Sequence, residues 1–179
     1  MKLIVVGLNH KTAPVEIRER FNFSRNRIKH ILRILRDSDD FAESVLISTC
    51  NRTELYLVAI EPEESLEELF QSIRRYAGPE FRDSYFYTYQ GRDCMTHLLK
   101  VASSLDSMIV GEGQILSQVK DAYHLARTAG TTSTIFNTLF NQAIATGKKV
   151  RTQTHIAYRS VSVSSAAVDP VSYTHLRAH

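Results

Sequence analysis

The first patterned stretch, Lys2 to Asn9, is β-branched and apolar and predicts a buried strand. Thr12 is placed to cap a short helical turn with Pro14 in its first turn. Ser24 stands as the N-cap of a longer helix. In it, Ile28, Ile31, Leu32 and Leu35 recur at i, i+3, i+4 and i+7 and so share one face. Glu43 to Thr49 alternates and reads as a strand, and Glu54 to Ile60 as another; the short connection between them makes a hairpin with Cys50 at its tip. Acids around Pro62 start a helix with a stripe of Leu66, Leu69, Phe70 and Ile73, and Gly78 and Pro79 stop it. Ser84 to Tyr89 predicts a fourth strand. The order β-α-β-β-α-β is the split βαβ, ferredoxin-like arrangement.

From Gly91 the period is helical. Asp93 is placed to cap a helix carrying Met95, Leu98, Leu99 and Ala102. After a break from Ser107 to Gly113, a second helix carries Ile115, Val119, Ala122 and Ala126 and ends at Gly130; a third runs from Phe136 to Val150. Helices so closely spaced pack on one another or on the sheet. The expected fold class is therefore α+β: a ferredoxin-like sheet unit over 1–90, then a helical bundle over 91–152. Residues 153–169 read as a connecting segment that is cut short. Residues 170–179 fit no preceding pattern; Val171 to His179 resembles a translated sequencing-library adapter and is set apart from fold reasoning, with His175 and His179.

Composition narrows the class. With 43% hydrophobic and 23% charged residues among 179, the chain reads as an ordinary globular protein. It holds no apolar run long enough to span a bilayer, and its N-terminal apolar run is too short for a secretory signal. Two cysteines, Cys50 and Cys94, exclude a disulfide scaffold and an all-cysteine zinc site, and fit a cytoplasmic setting. A net charge of +3 permits a nucleic-acid partner without arguing for one.

The most informative stretch is Ser48 to Glu54. A cysteine nucleophile needs exposure, which a hairpin tip provides, and a nearby cation such as Arg52. Thr49 and Asn51 offer hydrogen bonds near an acyl oxygen. The same spacing also suits Cys50 as a small core residue at a strand end. His97 is either a structural helical histidine or, if the fold brings it to Cys50, a proton carrier. The loop Leu105 to Gln114 is polar, with Gly111 and Gly113 bracketing Glu112, and Gln118 lies one turn beyond Gln114. Such a loop suits recognition of an amine and a carboxylate, or is a solvated turn. No glycine-rich dinucleotide turn and no phosphate-loop lysine follows a strand. Tyr85, Tyr87 and Tyr89 alternate, and bases stack on such stripes, although sheets packed under helices carry them too. Arg25, Arg27, Lys29 and Arg33 give the first long helix a basic side.

Four stretches together resemble the N-terminal part of the glutamyl-tRNA reductase family: Gly7 to Glu16, Ser48 to Glu54, His97 to Gln118, and the last helix up to Arg151. The resemblance implies that Cys50 attacks the ester joining glutamate to tRNA, forming a thioester that hydride from NADPH releases as glutamate-1-semialdehyde, the first step towards tetrapyrroles. It implies an activity-linked role for His97 and substrate contacts at Thr49, Asn51, Arg52, Ser107, Glu112, Gly113, Gln114 and Gln118. Arg52 is then the expected partner of a substrate carboxylate and Glu112 of the α-ammonium. The family usually has proline where Gly113 stands. The NADPH-binding domain and the dimerisation helices of the family would follow Val168, so this chain by itself is expected to be acylated but not to reduce. Glutamyl-tRNA, a homodimeric whole protein and a downstream aminomutase are the implied partners; neither metal nor haem is expected in this part, nor any membrane. Two other classes stay open: a non-catalytic RNA-binding module of ferredoxin-like fold, and a thiol hydrolase using Cys50 and His97.

Overall fold

The computed structural model describes residues 1–154 and 156. Four strands, β1 (Lys2–Asn9), β2 (Phe41–Ser48), β3 (Arg52–Ala59) and β4 (Tyr87–Gln90), form one sheet in the order β2-β3-β1-β4. Every neighbouring pair is antiparallel. The helices are α1 (Val15–Arg20), α2 (Arg25–Arg36), α3 (Pro62–Ala77), α4 (Gly91–Ala102), α5 (Gln114–Ala129) and α6 (Thr134–Gln153). Mixed α and β structure is as expected. The connecting segment, beyond residues 153, 154 and 156, and the tail at 170–179 lie outside the described residues.

Alternation along the strands gives the sheet two apolar faces. Ile4 and Val6 point to α3, where Leu66, Leu69, Phe70 and Ile73 meet them. Val5, Val45, Ile47, Tyr56 and Val58 share a second core with Cys94 and Leu98 of α4, Leu116 and Val119 of α5, and Phe136, Phe140 and Ala143 of α6. The last three helices thus close over the sheet as well as over one another. Glu43, buried in β2, fixes the start of α6: its carboxylate accepts from the backbone N–H groups of Ser133, Ile135 and Phe136 at 2.7–3.0 Å. A carboxylate at a helix N-terminus both satisfies orphan donors and complements the dipole.

Several local expectations shift. Ser24 does cap α2, its Oγ accepting from the Arg27 N–H at 3.4 Å. Thr12 does not cap α1; it folds back on Asn9, and Pro14 occupies the N-cap position. Asp93 lies within the first turn of α4, whose N-cap is Gln90. β3 begins at Arg52, two residues earlier than its apolar pattern indicates, so the hairpin connection is only Thr49 to Asn51. The fourth strand is shorter than expected because Asp83–Tyr85 forms a 3-10 turn. Tyr85 therefore leaves the tyrosine stripe and packs beside Leu8, Ala13 and Phe21.

Candidate functional site

Cys50 is exposed at the β2–β3 tip. The tip is tied down around it. Thr49 Oγ1 accepts from the N–H groups of Asn51 and Arg52 at 3.2 and 3.1 Å, an ST-type turn. Arg18 of α1 donates from Nη1 to the Cys50 carbonyl at 2.7 Å and to Asn51 Oδ1 at 3.3 Å. The His10 N–H donates to the Asn51 carbonyl at 3.0 Å.

Facing the tip is the loop Ser103 to Gly113. Ser104 adopts a positive φ of 60°, and its Oγ donates to the Glu112 carbonyl at 2.6 Å, while the Gly111 N–H returns to the Ser104 carbonyl at 3.1 Å. Gly111, at φ 90°, is a position that a side chain would strain, and a Cβ there would collide with the Ile156 carbonyl oxygen. A small polar pocket opens between tip and loop. Thr49, Cys50, Asn51 and Arg52 line one side; Ser107, Glu112, Gln114 and Gln118 line the other, with Met108 and Ile115. The N-terminus of α5, which no side chain caps, opens at this pocket.

Beneath the tip lies a buried charge network. Glu54 is fully buried; its Oε1 accepts from Arg52 Nη1 and Tyr87 Oη at 2.6 Å each and from His97 Nε2 at 2.8 Å, and its Oε2 from Tyr56 Oη at 2.7 Å. A carboxylate only accepts, so Nε2 carries the proton in that bond, and in the neutral ring Nδ1 is the acceptor. Burial by itself would raise the Glu54 pKa. The Arg52 charge, with the bonds from His97 and Tyr87, outweighs burial and holds it at about 2. The other end of Arg52 binds Asp106 through both the main-chain carbonyl and Oδ2, the latter at 3.1 Å; Lys11 Nζ reaches Asp106 Oδ1 at 2.5 Å. Gly7 is what makes room for Glu54, since a Cβ there would come within 2.9 Å of the Glu54 Cγ.

Residues 6–154 match the family described as glutamyl-tRNAGlu reductase, N-terminal domain. The chain belongs to the glutamyl-tRNA reductase N-terminal domain family. It is 45% identical over 170 residues to the glutamyl-tRNA reductase of Carboxydothermus hydrogenoformans, covering 94% of this chain and 38% of that one. To the enzyme of that name from Thermodesulfovibrio yellowstonii it is 47% identical over 178 residues, covering 94% and 41%. The solved glutamyl-tRNA reductase from Methanopyrus kandleri matches with a TM-score of 0.74 at 34% identity, over 96% of this chain and 39% of that chain. The chain thus spans about two-fifths of the length of the relatives it matches.

Of the residues expected at the site, all but two line one pocket with Cys50. Gly113 stands just outside it, at the N-cap of α5. His97 lines a separate cleft and reaches the tip only through Glu54 and Arg52. Arg52 also lines the pocket, at 1% exposure, with Nη1 bonded to Glu54 and Nη2 to Asp106, so it ties the tip to the loop. Cys94 is buried in the core, and burial, reinforced by the Glu54 charge, pushes its thiol up to about 12. Sequence reasoning missed Glu54, although Arg52, Glu54 and Tyr56 alternate on one strand face and so point the same way. It also missed Arg18 and Asp106, whose importance arises from pairs far apart in the chain. No group of metal-ligating side chains occurs among the described residues. Among the described residues no strand runs into a helix through a glycine-rich turn of the kind that cradles a dinucleotide pyrophosphate.

Proposed function

We propose that Cys50 is acylated by glutamyl-tRNA, in the substrate-binding half of an NADPH-dependent glutamyl-tRNA reductase acting at the start of tetrapyrrole synthesis. The observation that carries this is the exposed Cys50 thiol on a pocket lined by donors and one acid, Glu112. The thiolate adds to the ester carbonyl, the C–O bond to the tRNA breaks, and the released 3′-oxygen takes up a proton. The thioester is a better hydride acceptor than the ester, so one hard reduction becomes two easier steps. Glu112 pairs with the α-ammonium. With Arg52 committed elsewhere, the substrate carboxylate lies at the amides of Gln114 and Gln118 and the free N–H groups of the α5 N-terminus. Reduction to the aldehyde belongs to the whole protein, with NADPH held outside the described residues; this chain alone stops at the thioester and hydrolyses it slowly. The whole protein is a cytoplasmic homodimer that passes its reactive aldehyde to an aminomutase. The sheet order, with each β–α–β crossover spanning one inserted strand, supports a ferredoxin-like ancestry for residues 1–90.

A Cys50–His97 hydrolase is the weaker reading, because the imidazole lines another cleft and is bonded to Glu54. The deciding experiment incubates the chain with glutamyl-tRNA labelled in the amino acid. Acid-stable label that neutral hydroxylamine removes is expected on the wild type and not on Cys50→Ala. Equal label on both overturns the reading.

A further inference from the structure

Val6, Leu55 and Leu46 stand opposite one another across β1, β3 and β2 and form an apolar row on the sheet face that α3 covers. β3 lies inside the sheet, yet Leu55 is its one residue that is not buried. Above this row the helix layer is open. A cleft of about 280 Å³ lies there between α2 and α3, and Phe23 and Tyr76, 5.7 Å apart between ring centres, join its two walls. The lining is apolar except for Arg27, Thr53, Ser72 and the Tyr76 hydroxyl. Three of these four are already bonded within the protein. Thr53 Oγ1 donates to the Phe21 carbonyl at 2.8 Å, Tyr76 Oη donates to the Arg20 carbonyl at 3.0 Å, and Ser72 Oγ accepts from Arg75 Nη2 at 3.2 Å. The Arg27 guanidinium, exposed on α2, has no hydrogen-bond or ion-pair partner among the described residues.

We propose that this cleft binds an aliphatic monocarboxylate, a fatty acid whose tail lies over Leu55 and whose carboxylate meets Arg27. The lining sets the class. A second polar group on the ligand would be desolvated without a partner, so the occupant has one polar head and an apolar remainder. The unpaired guanidinium makes that head an anion, and its planar fork matches a carboxylate. The volume sets the length. A water-sized group takes about 30 Å³ in the liquid, so the cleft holds about nine groups of methylene size, the tail of decanoate. Apolar walls with a few placed polar groups are the general form of a small-molecule site. The cleft shares no lining residue with the Cys50 pocket, so the proposal stands apart from acylation at Cys50.

Binding of hexanoate, octanoate and decanoate to the whole chain is measured by isothermal titration calorimetry, with octanol as the uncharged counterpart of octanoate. Saturable binding at one site is expected, tightening about fourfold for each added methylene up to decanoate, as burial of a CH₂ group requires. Arg27→Gln is expected to weaken octanoate about tenfold and to leave octanol within about twofold of wild type. Ser72→Trp places an indole at the cleft from an exposed position on α3. It is expected to weaken octanoate and octanol alike by about tenfold, the effect of excluding one or two methylenes. Both substitutions are at exposed positions, and an unchanged urea midpoint confirms that each variant is folded. No saturable binding of decanoate to the wild type overturns the proposal. Octanoate affinity unchanged in Arg27→Gln removes the carboxylate from Arg27 and overturns it, as does octanoate affinity unchanged in Ser72→Trp, which places the ligand elsewhere. A dimer in sedimentation that Ser72→Trp dissolves gives the cleft to a second copy of the chain and overturns it too. None of these measurements reads Cys50, so each outcome leaves its acylation untouched.

Discussion

Nε2 of His97 lies 2.8 Å from Oε1 of Glu54, and the same oxygen accepts from Arg52 and Tyr87. One buried carboxylate oxygen thereby joins α4, β3 and β4 directly, and the loop before α5 through the far end of Arg52. Removing its charge leaves the buried guanidinium with Asp106 as its one carboxylate partner among the described residues. Glu54→Gln is expected to cost about 3–5 kcal/mol of stability, the usual cost of breaking a buried pair from one side. Urea denaturation checks this, and a midpoint within error of wild type counts against the network as an anchor. The labelling rate at Cys50 should fall in parallel, because tip and loop lose their common support.

The same network sets an acid limit. The Glu54 pKa is about 2 in the folded chain against 4.5 for an ordinary glutamate, so its contribution is complete above about pH 4.5 and is lost as pH falls towards 2. Asp106 is lowered too: burial opposes this, but the hydrogen bond from Lys11 and the Arg52 charge prevail. His10 lies below 6.5 because of burial and the charges of Arg52 and Lys11. The unfolded chain therefore takes up that proton first, and the stability His10 contributes above pH 6.5 is lost on acidification. Stability is expected to decline gently below pH 6.5 and steeply below 4.5. A urea midpoint followed from pH 8 to 3 should show both stages, and a flat profile down to pH 4 would contradict them.

Gly113 has φ −73° and ψ −24°, and the φ is one that proline adopts without strain. A Cβ there would meet only the far end of Arg151, at 3.1 Å from Nη2. Gly113→Pro is expected to stabilise the chain by about 0.4–1 kcal/mol through the unfolded state. Thermal denaturation reads the sign directly; a lower midpoint would mean that Glu112 cannot adopt the extended backbone that proline demands of its predecessor.

Gly147 sits where α6 crosses α4, and a Cβ there would collide with the Ala102 carbonyl and come within 3.0 Å of a Leu116 methyl. Gly147→Ala is expected to destabilise by about 1–3 kcal/mol, as overpacking does, despite alanine being the better helix former. A stabilised variant would show that the two helices have room to part.

The elements were legible in the sequence wherever one period dominated. Ile28, Leu32 and Leu35 of α2 are buried as their spacing requires, and the two strands flanking Cys50 pair as a hairpin. The misreadings fall where polar groups decide the structure. Arg52 was legible as a cation beside Cys50, but nothing near it in the sequence shows that it and Glu54 are buried; only partners supplied by β4, α4 and the loop before α5 make that burial tolerable. Tyr85 kept the parity of a strand residue, but the chain was turning at Asp83. Glu43 gave no sign of its role at α6, because its recipients lie 90 and more residues further on.

Two thiols in opposite surroundings give the chain its own gauge of integrity. A mild alkylating reagent should count one sulfur per native molecule, at the hairpin, and a second only when the interior comes apart and releases Cys94. Mass shifts after timed exposure would then report in one spectrum both the fraction still folded and the fraction still competent to accept an acyl group.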